Sequence, residues 1–257
     1  MATYLDTILA RHREVAAADR RPLDELVDAA RSEGPTRGFR QALVADERLA
    51  VISEIKRRSP SKGDLHRDLD PAAMATAYRS GGAACLSVLT DGEFFGGSID
   101  DLRAARAACD LPVLRKDFTV SALDVVDARL MGADCVLLIA AALEPGELAE
   151  FHALAVEIGL DVLVEIHDEH ELEHAVRAEA TLVGVNQRDL VTFEVDHERA
   201  VRVGASIPDG VVRVAESGVR GPTDARSLEA AGYHAVLVGE AVVTASDPSA
   251  AITALIG

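Results

Sequence analysis

Tryptophan is absent from this sequence, so the chain brings no indole fluorescence of its own. Cysteine is scarce: Cys85, Cys109 and Cys135 form no CxxC or Cys/His spacing. An odd, scattered set with two members inside apolar runs reads as buried reduced thiols, not as a disulfide framework, and no metal site is expected. Long apolar runs are missing as well. Nothing approaches the roughly 20 residues a membrane span needs. The opening MATYLDTILARHREV is polar and amphipathic, unlike a secretory leader, so the cytoplasm is the expected location. Positive charge is the last shortage. Lysine and arginine number 26 against 43 aspartates and glutamates, a formal net charge of −17. Such a surface repels nucleic acid and anionic membranes, so neither is an expected partner. An anionic small molecule can bind only where cations cluster locally. A monomer is the expected state.

What is present is the balance of a soluble globular protein, 49 % hydrophobic and 27 % charged. The length of 257 residues is usual for one α/β barrel. Residues 1–48 read as a helical extension: Leu5, Ile8, Leu9 and Val15, then Leu23, Leu26, Val27 and Ala30, recur at helical spacing. Gly34-Pro35 breaks the chain, and Phe39 to Leu43 begins a shorter helical piece. From there to residue 257 the rhythm changes. Strands are expected at Val51–Lys56, Ala84–Leu89, Pro112–Lys116, Asp134–Ala140, Asp161–His167, Leu182–Arg188, Val211–Glu216 and Ala235–Gly239. Between them lie Ala-rich helical segments, several opened by start signals such as Asp70-Pro71, Ser98, Ser121, Glu144-Pro145 and Asp247-Pro248. Eight βα units with near-continuous apolar strands imply a parallel sheet covered by helices. Closed on itself, that is a single (β/α)8 TIM barrel carrying a helical N-terminal extension. An open doubly wound sheet is the alternative, but no GxGxxG follows the first strand.

In such barrels the chemistry sits at the C-terminal ends of the strands. Strand one carries Glu54 and Lys56 on one face by two-residue alternation, and strand six carries Asn186 and Arg188 in the same way. Strand three closes on Lys116 and strand five on Glu165-Ile-His167. Any single charge here is an ordinary strand end. As a set facing the lumen, they form the local cation cluster that an anionic ligand requires, because buried charges persist only when paired or used. The last two strands end in Ser217-Gly218 and Gly239-Glu240. Glycine there lets backbone N–H groups approach an anion, and these are the loops where barrels hold phosphate. A phosphorylated small-molecule substrate is therefore expected.

The run Ser53-Glu-Ile-Lys-Arg-Arg-Ser-Pro-Ser-Lys-Gly63 closely resembles the signature of indole-3-glycerol phosphate synthases. The resemblance continues through Leu86-Ser-Val-Leu-Thr90, Phe94-Phe-Gly-Gly-Ser98, Pro112-Val-Leu-Arg-Lys-Asp-Phe118, Val185-Asn-Gln-Arg-Asp-Leu190 and Glu216-Ser-Gly218, and covers essentially the whole chain. No second barrel follows, so a bifunctional fusion is not expected.

The resemblance implies a cofactor-free reaction. The substrate would be 1-(2-carboxyphenylamino)-1-deoxyribulose 5-phosphate, and the products indole-3-glycerol phosphate, carbon dioxide and water. Lys116 would be the general acid on the ribulose carbonyl oxygen and Glu165 the proton-transfer partner in the dehydration. Glu54 and Asn186 would position the anilino nitrogen and hydroxyl groups, while Lys56 and Arg188 hold the carboxylate. Ser217, Gly218, Gly239 and the backbone of Glu240, with Ser59, would bind phosphate. Phe95, Phe118, Leu114, Leu137, Ile139 and Leu190 would wall the aromatic ring. Lys116, set among other cations, is expected to have a lowered pKa. Three positions depart from the family pattern: Glu240 stands for a small serine, Gln187 for an asparagine with its side chain turned away, and Asp64 with His66 makes the first loop more polar. A Schiff-base aldolase on Lys116 is a competing enzyme reading. Phosphoribosyl isomerases share the phosphate end but use a Cys/Asp or Asp/Asp pair, which Glu54 and Lys56 do not match. A non-catalytic scaffold would leave the inward charges without a use.

Overall fold

The computed structural model describes residues 3–60, 62–189 and 191–257, so Ser61 of the signature run and Leu190 of the expected ring wall lie outside the described residues. Eight parallel strands close into a barrel in chain order: Ala50–Ile55, Cys85–Leu89, Val113–Lys116, Cys135–Ile139, Asp161–Ile166, Leu182–Asn186, Val212–Glu216 and Ala235–Val238. Closure is made where the first strand pairs with the last, Ala50 to Ala235 through Ser53 to Val238. The expected strand bounds run one or two residues long where the chain turns into a loop. Helices alternate with the strands, and their starts follow the anticipated chemistry. Asp70 caps Pro71–Gly81, Ser98 caps Ile99–Ala108, Ser121 caps Ala122–Leu130 and Asp247 caps Pro248–Ile256, each side chain accepting from a first-turn N–H. No described helix is long and apolar enough to cross a membrane.

Alternation sorts each strand into two faces. Val51, Val88, Val113, Val136, Val164, Val183 and Val236 pack outward against the helices, whereas Ile52, Cys85, Leu114, Cys135, Leu163, Leu182, Val214 and Leu237 fill the interior. The interior is therefore a packed core. Cys85, Cys109 and Cys135 are all free thiols.

The extension runs along the barrel from one end to the other. Its first helix, Tyr4–Ala18, lies at the C-terminal end, where Tyr4 stands edge-on to Phe94 and Phe193 and Arg13 bonds Glu147. Its second, Leu23–Ser32, follows the outer surface beside the helix Ala122–Leu130. Its third, Phe39–Leu43, stoppers the opposite end: Phe39 and Leu43 join the interior cluster and are essentially inaccessible. Two carboxylates at strand starts hold this stopper. Asp134 accepts the Arg37 N–H at 2.8 Å and Asp161 the Arg40 N–H at 2.9 Å.

Candidate active site

Alternation that puts Ile52 in the interior also puts Glu54 and then Lys56 above it, and the same parity lifts Lys116, Glu165, Asn186 and Glu216 to the top of their strands. They line a cavity of about 610 Å³ at the C-terminal end of the barrel. Most residues singled out from the sequence lie on its wall: Glu54, Lys56, Ser59, Phe95, Lys116, Phe118, Leu137, Glu165, Asn186, Arg188, Ser217, Gly218, Gly239 and Glu240. Ile139 lies there as well, while Leu114 sits deeper, in the packed interior.

Lys116 stands at the centre of the polar end. Its ammonium donates to Glu165 Oε2 at 3.3 Å and lies 3.8 Å from Glu216 Oε2. Burial would lower its pKa, but Glu165, Glu216 and Glu54 outweigh burial and raise it above the ordinary lysine value. This corrects the expectation of a lysine depressed by cations: barrel closure surrounds Lys116 with carboxylates, and Lys56 is paired with Glu54 instead. Glu165 is also fully buried. Burial pushes its carboxyl upward, yet Lys116, His167 and the Asn186 Nδ2 bond at 2.9 Å together hold it below the usual range. Asn186 is fixed in turn by the Arg188 N–H, which donates to its Oδ1 at 3.0 Å.

Glu216 was not among the residues drawn from the sequence as catalytic, and it is the main addition. Its side chain is 2 % exposed, its Oε1 has no hydrogen-bond partner, and burial together with negative Glu165 pushes its pKa well above the ordinary value. The pKa values of these two neighbouring carboxyls are thus pushed in opposite directions, Glu165 below and Glu216 above the ordinary value, the pattern that separates a base from an acid. Gly184 makes the space, since a Cβ there would collide with the Glu216 carboxyl. The alternation Val212, Val214, Glu216 was legible in the sequence and could have found it.

Directly after Glu216 the chain forms a turn with successive left-handed residues, Ser217 at φ 64° and Gly218 at φ 75°. Gln187, pointing away from Asn186, donates to Ser217 O at 2.7 Å and steadies this strained turn. Gly239 is required by contact: a Cβ would meet the Glu54 carboxylate and lie 3.2 Å from Lys56 Nζ. Glu240 begins the short helix Glu240–Val243 and its carboxylate faces Lys62 at 3.4 Å, so an anion nearby would use its amide. Above the cavity, Arg58–Ser59 pairs with Gly63–Asp64 in a small hairpin that Arg57 ties to Asp101 at 3.0 Å. The apolar wall brings Phe95 and Phe118 together, ring centroids 6.2 Å apart. Beside it, His12, Asp91 and Asp117 place donor atoms within 4.8 Å of one another. Each of those carboxylate oxygens is already engaged by a backbone N–H, His12, Thr90 or Arg115, which is the pattern of an ion-paired joint.

A closed barrel that concentrates its ionisable groups at the strand ends defines the class, that of the (β/α)8-barrel enzymes, whose active sites lie at this face. Two solved structures share the fold alone. A thiamine phosphate pyrophosphorylase from Pyrococcus furiosus aligns with TM-score 0.62 at 16 % identity, over 82 % of this chain and 95 % of its own. An N-acetylmannosamine-6-phosphate 2-epimerase from Clostridium perfringens gives 0.61 at 15 %, over 78 % and 90 %. Sequence relatives are far more similar. The indole-3-glycerol phosphate synthase of Chromobacterium violaceum is 48 % identical over 99 % of this chain and 98 % of its own length. That of Polaromonas naphthalenivorans is 46 % identical over the full length of both. The family model for indole-3-glycerol phosphate synthase matches residues 5–255. The chain belongs to that family, decarboxylating lyases of tryptophan biosynthesis.

Proposed function

We propose that the cavity binds 1-(2-carboxyphenylamino)-1-deoxyribulose 5-phosphate with its phosphate at Ser217, Gly218, Gly239, the Glu240 amide and Ser59, and its aromatic ring against Phe95, Phe118 and Leu137. Lys56 and Arg188 hold the ring carboxylate, and Glu54 with Asn186 orient the anilino nitrogen and hydroxyl groups. Ring closure then places the carboxylate-bearing carbon against the ribulose carbonyl. The developing alkoxide is far more basic than an amine, so an ammonium with a raised pKa still donates to it and is fully charged beforehand. Lys116 is that donor. The protonated carboxyl of Glu216, 3.8 Å away, is placed to restore the lysine's proton. Loss of carbon dioxide rearomatises the benzene ring; the restored Lys116 ammonium then protonates the departing hydroxyl, which leaves as water, while Glu165 takes up the proton lost from the adjacent ring carbon. Nothing in this sequence of steps calls for a cofactor.

The observation that carries the reading is Lys116 held between Glu165 and Glu216, two buried carboxyls whose pKa values are pushed in opposite directions, in a cavity that also carries a glycine turn and an apolar wall. We infer further that extension and barrel fold as one unit, because Phe39 and Leu43 complete the interior core. The protein would act as a cytoplasmic monomer, since one chain supplies the whole cavity wall; light scattering tests the monomer. The chemical test uses the absence of tryptophan. Mixed with the substrate, the wild type should generate indole fluorescence that Lys116→Ala reduces about 10²–10⁴-fold, the range for a lost proton-transfer group. A flat trace from well-folded wild type would overturn the reading.

A further inference from the structure

Asp91, on the loop after the second strand, and Asp117, at the end of the third, each hold one phenylalanine of the cavity's apolar wall. Asp91 Oδ1 accepts the Phe95 N–H at 3.0 Å, and Asp117 Oδ1 accepts the Phe118 N–H at 2.9 Å. Both carboxylates meet one residue of the extension. His12 Nε2 lies 3.1 Å from Asp91 Oδ2 and 3.9 Å from Asp117 Oδ1, and its ring is 5.5 Å from that of Phe118. Both aspartate side chains are 6 % exposed and that of His12 18 %, so water screens this junction weakly. We propose that His12 is a positioning residue for substrate binding: its imidazolium clamps the first helix of the extension to the two loops that carry Phe95 and Phe118, and so sets the width of the aromatic-ring pocket.

The charge is what makes the clamp work. A neutral imidazole can donate to one carboxylate and leaves the two buried aspartates repelling each other across it. An imidazolium attracts both and lies against the Phe118 ring. Around it stand Asp91 from the second-strand loop, Asp117 with Arg115 on its far oxygen at 3.1 Å, and Asp124 from the following helix. On the extension helix itself, Arg11 is taken up by Glu93 and Arg13 by Glu147. Burial alone would lower the His12 pKa, but the Asp91 bond, Asp117, Asp91 and Asp124 outweigh it and raise it. A histidine raised in the fold contributes fully below its ordinary value and loses that contribution as the pH climbs through the raised one. The clamp therefore loosens on the alkaline side.

This inference rests on the ring pocket of the proposed function, and steady-state kinetics from pH 6 to 9 separate the two. Wild-type turnover at pH 6.5 is measured first; a folded but inert protein there fails the functional reading. In an active protein, KM should rise roughly tenfold toward alkaline pH with kcat little changed, the scale of one charge-assisted hydrogen bond. His12→Gln should show the high KM throughout, and His12→Lys, whose charge persists, the low KM throughout. The lysine variant also controls for titration of the substrate phosphate. If the glutamine variant fails to fold, the lysine variant alone decides. KM profiles that superimpose for wild type and His12→Lys, or for wild type and His12→Gln, overturn the proposal.

Discussion

Replacing Glu216 by glutamine separates chemistry from structure at a carboxyl whose pKa burial and Glu165 push well above the ordinary value, which favours its protonated state. Glutamine reproduces the shape and neutrality of that state, so at about pH 6 stability should stay within about 1 kcal/mol of wild type. The pH dependence has a definite sign. A carboxyl raised in the fold stabilises it while the proton stays on, and wild type loses stability as pH rises from about 4.3, the ordinary glutamate value, toward the raised one. The slope is at most about 1.4 kcal/mol per pH unit. For a chain of this size that is about 3–6 °C of melting temperature per unit. Glutamine does not titrate, so the variant's melting temperature should overtake wild type as the buffer becomes more alkaline. Activity should move the other way, kcat falling about 10²–10⁴-fold because no proton can be passed to Lys116. Scanning calorimetry across pH and the fluorescence assay supply both readings. A variant within about threefold of wild-type kcat would refute the proton relay, since a transferring group contributes far more than that. A melting temperature that never overtakes wild type would refute the protonated resting state.

Phe39→Ala should empty the stopper of the barrel and cost about 3–5 kcal/mol, read as a fall of about 10 °C in melting temperature; a loss under about 1 kcal/mol would mean the extension is dispensable to the core. Gly239→Ala should drive a Cβ into the Glu54–Lys56 pair and lower kcat/KM by at least about tenfold, the cost of misplacing a catalytic pair, with little change in melting. Gln187→Ala removes the bond to Ser217 O and should destabilise by about 1–3 kcal/mol, with KM rising more than kcat falls. A kcat loss without a KM change would place Gln187 in the chemistry instead.

Much of this protein was legible in its order of residues. The eight strands follow from apolar runs between glycine, aspartate and proline punctuation, because backbone satisfaction and burial act locally. Strand parity placed Glu54 with Lys56, and Asn186 with Arg188, before any coordinates were needed, since side chains alternate whatever the partner strand. What alternation leaves open is which element lies opposite. Only barrel closure, with the first strand paired to the last, brings Glu216 across to Lys116, beside Glu54 and Glu165, and the charges gathered there reverse the direction of that lysine's pKa. Glu216, a single acid at a strand end in one dimension, becomes a partner of Glu165 and Lys116 in three. The extension shows the same division. Its helices are written in 3.6-residue periodicity, but periodicity names no partner. Tertiary packing alone decided that Phe39 stoppers one end of the barrel while His12 reaches the aspartates at the other.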